Sequence, residues 1–164
     1  MQIQLFLNHH SEGGHGNLTL SMPFLDELYI MDTYYFALDN SFLPNDESHN
    51  KVILSLVKNL RYWVDKTNKL LDNEIVFFPI DLSDEYVGFL IVENKSNLLE
   101  IKYAVTQELT GWGLNASKPE EFSLEKPIHH IEAGKLDISK GEFANNILLS
   151  INQIESGISR KVRF

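Results

Sequence analysis

Residues 74–106 read EIVFFPIDLSDEYVGFLIVENKSNLLEIKYAVT, and this stretch decides the fold class. It holds three runs rich in β-branched and aromatic residues, which predict strands at 74–78, 86–93 and 99–105. The polar residues between the runs are typical of tight turns, and the first strand is expected to end at Pro79. Consecutive strands with short connections predict an antiparallel meander rather than strands that alternate with helices.

A long amphipathic segment precedes the meander. Apolar residues recur at helical spacing from His49 to Leu71, which predicts a helix with one buried face. Asn45 and Ser48 are both suitable N-caps for this helix. Its opposite face is expected to be a solvent-exposed basic stripe. The stripe comprises Lys51, Lys58, Arg61, Lys66 and Lys69.

A second helix is predicted near the C-terminus. Ser139 and Glu142 have the spacing of a capping box, and apolar residues then recur every three or four positions as far as Ile154. Gly157 is expected to end this helix, because glycine is common just past helix C-termini. A short strand is predicted before the helix, at 128–133.

The N-terminal region alternates apolar and polar residues in 1–7 and again in 18–22, which predicts a hairpin with a polar loop at 8–16. Residues 25–38 suit either a helix or a strand. Their β-branched and aromatic content favours a strand from Tyr29 onward.

These elements predict a single domain of the α+β class over residues 1–164. Its mainly antiparallel sheet, made of the N-terminal hairpin and the central meander, would pack against the two amphipathic helices. No apolar run approaches the roughly 20 residues that a membrane helix needs. The N-terminus has no basic region and only a short apolar stretch, so no signal peptide is expected and the location would be cytoplasmic.

Composition excludes several functional classes. The chain has 164 residues and no cysteine, so it has no disulfide, thiolate metal ligand or cysteine nucleophile. Its formal net charge of −9 argues against binding to nucleic acid, because polyanions are held by basic surfaces.

The negative charge is concentrated at one end of the chain. Residues 1–50 contain seven of the 23 acidic residues and no lysine or arginine, although they also hold seven of the 18 aromatic residues. In an interface, aromatic rings supply buried area and acidic groups steer a basic partner. The candidate partner-binding residues are Asp26, Tyr29, Asp32, Tyr34, Tyr35 and Asp39, together with Trp112, which lies between two glycines.

Histidine and glutamate occur together twice, as HHSE at 9–12 and as HHIE at 129–132. Imidazole and carboxylate groups are suitable ligands for zinc or iron. A metal site would form if the loop at 8–16 met the strand at 128–133. Its candidate ligands are His9, His10, His15 and His130. The alternative is that these histidines are unrelated and form ordinary hydrogen bonds, so that no cofactor is bound.

Three carboxylates, Asp81, Asp84 and Glu85, lie close together between two predicted strands. Such groups can hold a divalent ion or act as acid and base. Aspartate is also common in turns for conformational reasons, and this second interpretation is favoured. These residues are therefore expected to be solvated in a turn.

The leading hypothesis is a non-enzymatic protein that binds a basic protein partner through its acidic, aromatic N-terminal third. Its concrete form is an immunity-type inhibitor that covers the cationic site of a toxin or nuclease. One alternative is a metal-binding protein or metal-dependent hydrolase that uses the histidine and glutamate residues. Another is a structural or assembly module, which would form a homodimer through a sheet edge or a helix face.

Overall fold

In the residues that the structure describes, two antiparallel sheets and three α-helices make up the fold, which confirms the predicted α+β class with its N-terminal hairpin and central meander. The structure is a computed structural model. It describes residues 2–10, 15–25, 29–38, 47–96, 98–122 and 129–161, with side chains as far as Gly157. Within these ranges no helix is long and apolar enough to cross a membrane.

The smaller sheet contains β1 (Gln4–Leu7), β2 (Leu18–Ser21) and β3 (Tyr29–Met31), adjacent in that order. β1 and β2 form the predicted hairpin, in which Leu5 lies opposite Leu20. Both leucines are fully buried, as the alternating pattern predicts.

The segment after β3 is helical. The predicted strand from Tyr29 onward is therefore correct for three residues only, and α1 (Tyr34–Leu38) follows it. Thr33 marks the change, because its hydroxyl is hydrogen-bonded to the side chain of buried Asn17 and its carbonyl accepts from the Phe36 amide at 2.9 Å. A contact with a residue distant in sequence thus overrides the local preference for strand.

The larger sheet contains β4 (Ile75–Leu82), β5 (Val87–Lys95), β6 (Leu98–Thr106) and β7 (Ile131–Ile138). These strands pair antiparallel in chain order, so the predicted meander is extended by a fourth strand. That fourth strand is longer than the short one predicted at 128–133.

β4 does not end at Pro79, which corrects the prediction. Pro79 pairs with Phe89 of β5, and the register shifts between Pro79 and Asp81. Proline is tolerated here because β4 is an edge strand, where only one side of the backbone pairs with the sheet. The Pro79 carbonyl instead accepts a hydrogen bond from the side chain of Asn59 at 3.2 Å.

The long helix α2 (His49–Lys69) begins as predicted. Ser48 is its N-cap, and the Ser48 hydroxyl accepts from the Lys51 amide at 3.3 Å. Trp63 of α2 is fully buried and stacks on Phe78 of β4, with ring centroids 5.1 Å apart. This contact packs α2 against the larger sheet.

The basic stripe on α2 is shorter than predicted. Lys58, Arg61, Lys66 and Lys69 are exposed, but Lys51 is only 1 % exposed. The reason is that α2 also packs against α1 and the C-terminal helix, so more than one face of its first turns is covered.

The C-terminal helix is α3 (Lys140–Lys161). The predicted capping interaction is present, because the Glu142 amide donates to the Ser139 hydroxyl at 3.1 Å. α3 packs on α2 and on β1, where the Leu5 amide donates to the buried Ser150 hydroxyl at 3.1 Å. Both sheets and all three helices contribute to one hydrophobic core.

Gly157 lies inside α3 rather than at its end, which corrects the predicted helix stop. A Cβ at this position would lie 2.1 Å from Cε1 of His9. Glycine is therefore required for the close approach of the His9 ring to the helix, and its helix-breaking tendency is overcome by the rest of α3.

The Gly157→Ala variant is expected to unfold about 2 kcal/mol more easily than the wild type, because the added methyl group overpacks the His9 contact. In a His9→Ala background the same change should be neutral or stabilising, since alanine is the better helix former by up to about 1 kcal/mol. Urea denaturation of the four proteins measures both effects. Gly141→Ala, where a Cβ meets nothing within 4 Å, is the matched control in α3. Equal costs of Gly157→Ala in both backgrounds would contradict the explanation.

Candidate functional site

A groove of about 510 Å³ lies between the smaller sheet and the turn that joins β4 to β5. Its residues come from four parts of the chain: His15 before β2, the residues from Asp32 to Tyr35 at the start of α1, the β4–β5 turn, and a 3₁₀ turn at Gly111–Gly113. We call this feature the acidic groove. Its ionisable and aromatic residues are His15, Asp32, Tyr34, Tyr35, Asp84, Glu85 and Trp112.

Four rings form a continuous row along the acidic groove. His15 stacks on Tyr34 with ring centroids 5.7 Å apart. Tyr34 meets Tyr35 edge to face at 5.6 Å, and Tyr35 meets Trp112 in the same way at 5.2 Å. Tyr34 and Tyr35 are adjacent at the start of α1, so the helix that replaces the predicted strand places them side by side.

Trp112 presents its indole to solvent, since the residue is 66 % exposed. Its position depends on Gly111, where a Cβ would lie 2.7 Å from the Tyr35 ring. The Gly111 amide donates to the Ser83 carbonyl at 2.7 Å, which ties the tryptophan turn to the β4–β5 turn. Gly111, which precedes Trp112, thus allows the indole to rest on Tyr35.

The three carboxylates differ in how they are held. Asp32 accepts from the Gly16 amide at 2.5 Å and contacts Nδ1 of His15 at 3.1 Å. Asp84 accepts a hydrogen bond from the Tyr35 hydroxyl through one of its oxygens. Glu85 is exposed, and its backbone amide donates to the Ser83 hydroxyl. Burial and the bond to Asp84 raise the pKa of Tyr35 well above its ordinary value of 10, so this phenol stays a hydrogen-bond donor.

A buried carboxyl adjoins the acidic groove. Asp81, at the end of β4, is 1 % exposed and accepts from the Tyr103 hydroxyl at 3.3 Å. Burial raises the pKa of Asp81 to about 6, although hydrogen bonds from Tyr86, Tyr103 and Tyr29 oppose the shift. The charge of nearby Asp32 raises this pKa further. Asp81 is thus not solvated in a turn, which corrects the expectation for this residue.

Four of the seven predicted partner-binding residues meet in the acidic groove, namely Asp32, Tyr34, Tyr35 and Trp112. Tyr29 instead faces the larger sheet, where its ring lies 4.6 Å from that of Tyr103. Asp26 and Asp39 lie outside the described residues.

Asp84 and Glu85 line the groove but are not among the predicted partner-binding residues. Both are exposed in the β4–β5 turn, as the sequence predicts. Nothing local indicates that this turn faces α1, because the two segments are about fifty residues apart. The nearest sequence signal is the Gly-Trp-Gly stretch, which joins the turn to Tyr35.

The candidate metal ligands occupy separate environments. Nδ1 of His9 lies 3.0 Å from Nε2 of His49, and His15 is bound to Asp32. His130 contacts Glu132 at 3.2 Å, and His10 is exposed. In the described part of the chain, no three histidine, aspartate or glutamate residues are grouped so that they could hold a metal ion.

Comparison with known proteins adds no relative: no family model, no curated protein and no solved structure matches this chain. The functional inference therefore depends on the chemistry of the acidic groove itself.

Proposed function

We propose that this protein binds a basic protein partner in the acidic groove. One observation carries the proposal: three carboxylates and a largely exposed tryptophan line a single concave surface. No lysine or arginine is among the described residues that line it. A cationic surface entering this groove would meet negative charge at both ends of the aromatic row.

The row of rings supports a binding role. Tryptophan and tyrosine are the residues that most often dominate interface energetics, because they bury a large area at little cost in conformational entropy. Trp112 is 66 % exposed, although it rests on a buried tyrosine, so a partner could still cover most of it. Covering Trp112 would add apolar burial to the attraction between charges.

The acidic charge supports a fast, selective encounter. The first 50 residues carry a formal charge of −7, and one of their acidic residues, Asp32, lines the groove together with Asp84 and Glu85. Such a concentration of one sign of charge raises association rates with oppositely charged partners. The concrete form of the proposal is an inhibitor that covers the cationic site of a toxin or nuclease.

Affinity capture with matched variants tests the proposal. Wild-type protein and the variants Trp112→Ala, Glu85→Gln and Glu142→Gln are immobilised, and proteins retained from the native cell lysate are identified by mass spectrometry. Glu142→Gln is the control because it removes the same charge from an exposed site on α3. We expect one basic protein on wild type and on Glu142→Gln.

For that partner, affinity should fall about tenfold or more in Trp112→Ala, because exposed interface tryptophans are frequent hot spots. Glu85→Gln should mainly slow association and weaken its dependence on salt. A partner that is not basic, or one that binds all four proteins equally well, would refute the proposal.

A further inference from the structure

We infer that the acidic groove selects arginine over lysine in its partner, because the buried ring of Tyr35 holds an indole and a carboxylate at a set spacing. The inference rests on the proposed function and specifies which side chain of the basic partner enters the groove.

Tyr35 is the common support of both groups. It is only 7 % exposed, its ring contacts Trp112, and its hydroxyl donates to Asp84. The indole and the carboxylate are therefore positioned by the same side chain, rather than by two independent loops. Such preorganisation lowers the entropic cost of binding a ligand that uses both groups at once.

The indole suits a planar cation. Guanidinium groups stack on aromatic faces, and tryptophan is the most favourable ring for this interaction. Space beside the ring is available, because Trp112 is 66 % exposed. Lysine can place its charge near the ring, but its compact ammonium group is more strongly hydrated and has no flat face to stack.

The carboxylates at this end of the groove remain able to accept hydrogen bonds. One oxygen of Asp84 is engaged by Tyr35, and the other has no donor within the described parts of the chain. Glu85 is the next residue and is exposed. A guanidinium group donates in a fork that matches two carboxylate oxygens, which a single ammonium does not. Asp32, at the other end, is already held by Gly16 and His15.

Three synthetic peptides test the inference. They share a Gly/Ser sequence and carry three arginines, three lysines or three citrullines, the last having the shape of arginine without its charge. Binding is followed by calorimetry and by tryptophan fluorescence, which reports on Trp112 because Trp63 is fully buried. We expect the arginine peptide to bind about tenfold more tightly than the lysine peptide, the range that stacking and bidentate bonds allow. The citrulline peptide should bind most weakly.

Two variants show whether Tyr35 positions the groups as inferred. Tyr35→Phe keeps the ring but removes the hydroxyl, so it should lower the ratio of arginine to lysine affinity while lysine binding changes little. Trp112→Ala should abolish the preference. Glu142→Gln, which removes the same charge as Glu85→Gln but lies on α3, should leave the preference unchanged, and thermal unfolding confirms that each variant is folded.

Equal affinity for the arginine and lysine peptides would overturn the inference and leave the proposed function standing, provided that binding still weakens in Glu85→Gln. The inference would also be overturned if neither the arginine nor the lysine peptide bound at about 1 mM, a concentration at which even a binding free energy of about 4 kcal/mol is detected. In that case the capture experiment decides separately whether a basic partner uses the groove.

Discussion

Gly88→Ala is expected to lower the free energy of unfolding by about 3 kcal/mol, at the upper end of typical overpacking costs. A Cβ at Gly88 of β5 would lie 2.2 Å from the Tyr103 hydroxyl oxygen and 2.8 Å from Cβ of Asp81. Tyr103 would be pushed away, and the buried Asp81 carboxyl would lose one of its hydrogen-bond donors. Urea denaturation followed by circular dichroism measures the loss.

Two further variants identify the cause of that loss. Gly113→Ala is the matched control, because a Cβ there meets nothing within 4 Å, and its effect should stay within about 0.5 kcal/mol. Tyr103→Phe removes the nearest clashing atom, so Gly88→Ala should cost less in that background. If Gly88→Ala and Gly113→Ala unfold at the same urea concentration, the packing around Tyr103 is not as tight as described.

Asp81→Asn is expected to stabilise the protein at pH 8 by about 3 kcal/mol, an unusual direction for a buried polar residue. The size follows from the difference between the ordinary pKa of 3.8 and the folded-state pKa of about 6, at 1.36 kcal/mol for each unit. Asparagine has nearly the same shape and can still accept hydrogen bonds, but it carries no charge to be desolvated. The variant should keep the hydrogen bond to one oxygen, replace the other oxygen with an NH2 group that donates to a phenol oxygen, and lose the penalty of the buried charge.

The pH dependence has a definite sign. Below pH 3.8 the carboxyl is protonated in both folded and unfolded chains, so the favourable contribution of the neutral group is fully present. As the pH rises from 3.8 through about 6, the unfolded chain ionises first and this contribution is lost. The gain from Asp81→Asn should therefore be near zero at pH 3.5, grow through this window, and level off above pH 7.

Parallel denaturation series of wild type and Asp81→Asn at five pH values measure this difference directly. Subtracting the two curves removes the effects of other titrating groups, including Glu100 and Glu132, whose pKa values are lowered mainly by hydrogen bonds to Lys135 and Lys102. Asp72→Asn, at an exposed position after α2, should show no such pH-dependent gain. A variant less stable than wild type at pH 8 would show that the phenol hydrogen bonds outweigh the desolvation of Asp81.

Both predictions concern the same structural junction. Tyr29 belongs to the smaller sheet and Tyr103 to the larger one, and their rings are in contact. Asp81 accepts hydrogen bonds from both tyrosines and lies three residues before Asp84. The contact between the two sheets therefore also supports the turn that carries Asp84 and Glu85. Variants of the junction should accordingly be checked for changes in partner binding as well as stability.

Most secondary structure was predictable because it follows from local periodicity. Buried positions repeat every second residue in β1 and β2 and at helical spacing in α2, and both patterns can be read without knowledge of neighbours. The errors at Pro79, Lys51 and Gly157 share a different origin. Each depends on an element distant in sequence: the edge position of β4, the packing of α1 and α3 on α2, and the ring of His9.

The sequence predicted several residues of the candidate site but not how they are arranged. The excess of acidic and aromatic residues in the first 50 residues indicated Asp32, Tyr34 and Tyr35. Only the structure shows that Trp112 completes their row and that Asp84 is bound by Tyr35. It also separates the histidines, since His9 pairs with His49 and His15 pairs with Asp32.

By itself, the sequence determined the class of fold, the main helices and strands, and the sign of the charge near the N-terminus. These properties depend on residue types and on their order over a few turns or strands. The tertiary structure alone decided that Asp81 is buried, that Gly88 and Gly157 must be glycine, and that four separate segments form one acidic groove. The burial and the contacts of a residue depend on which distant residues the fold brings next to it, and a local sequence pattern does not contain this information.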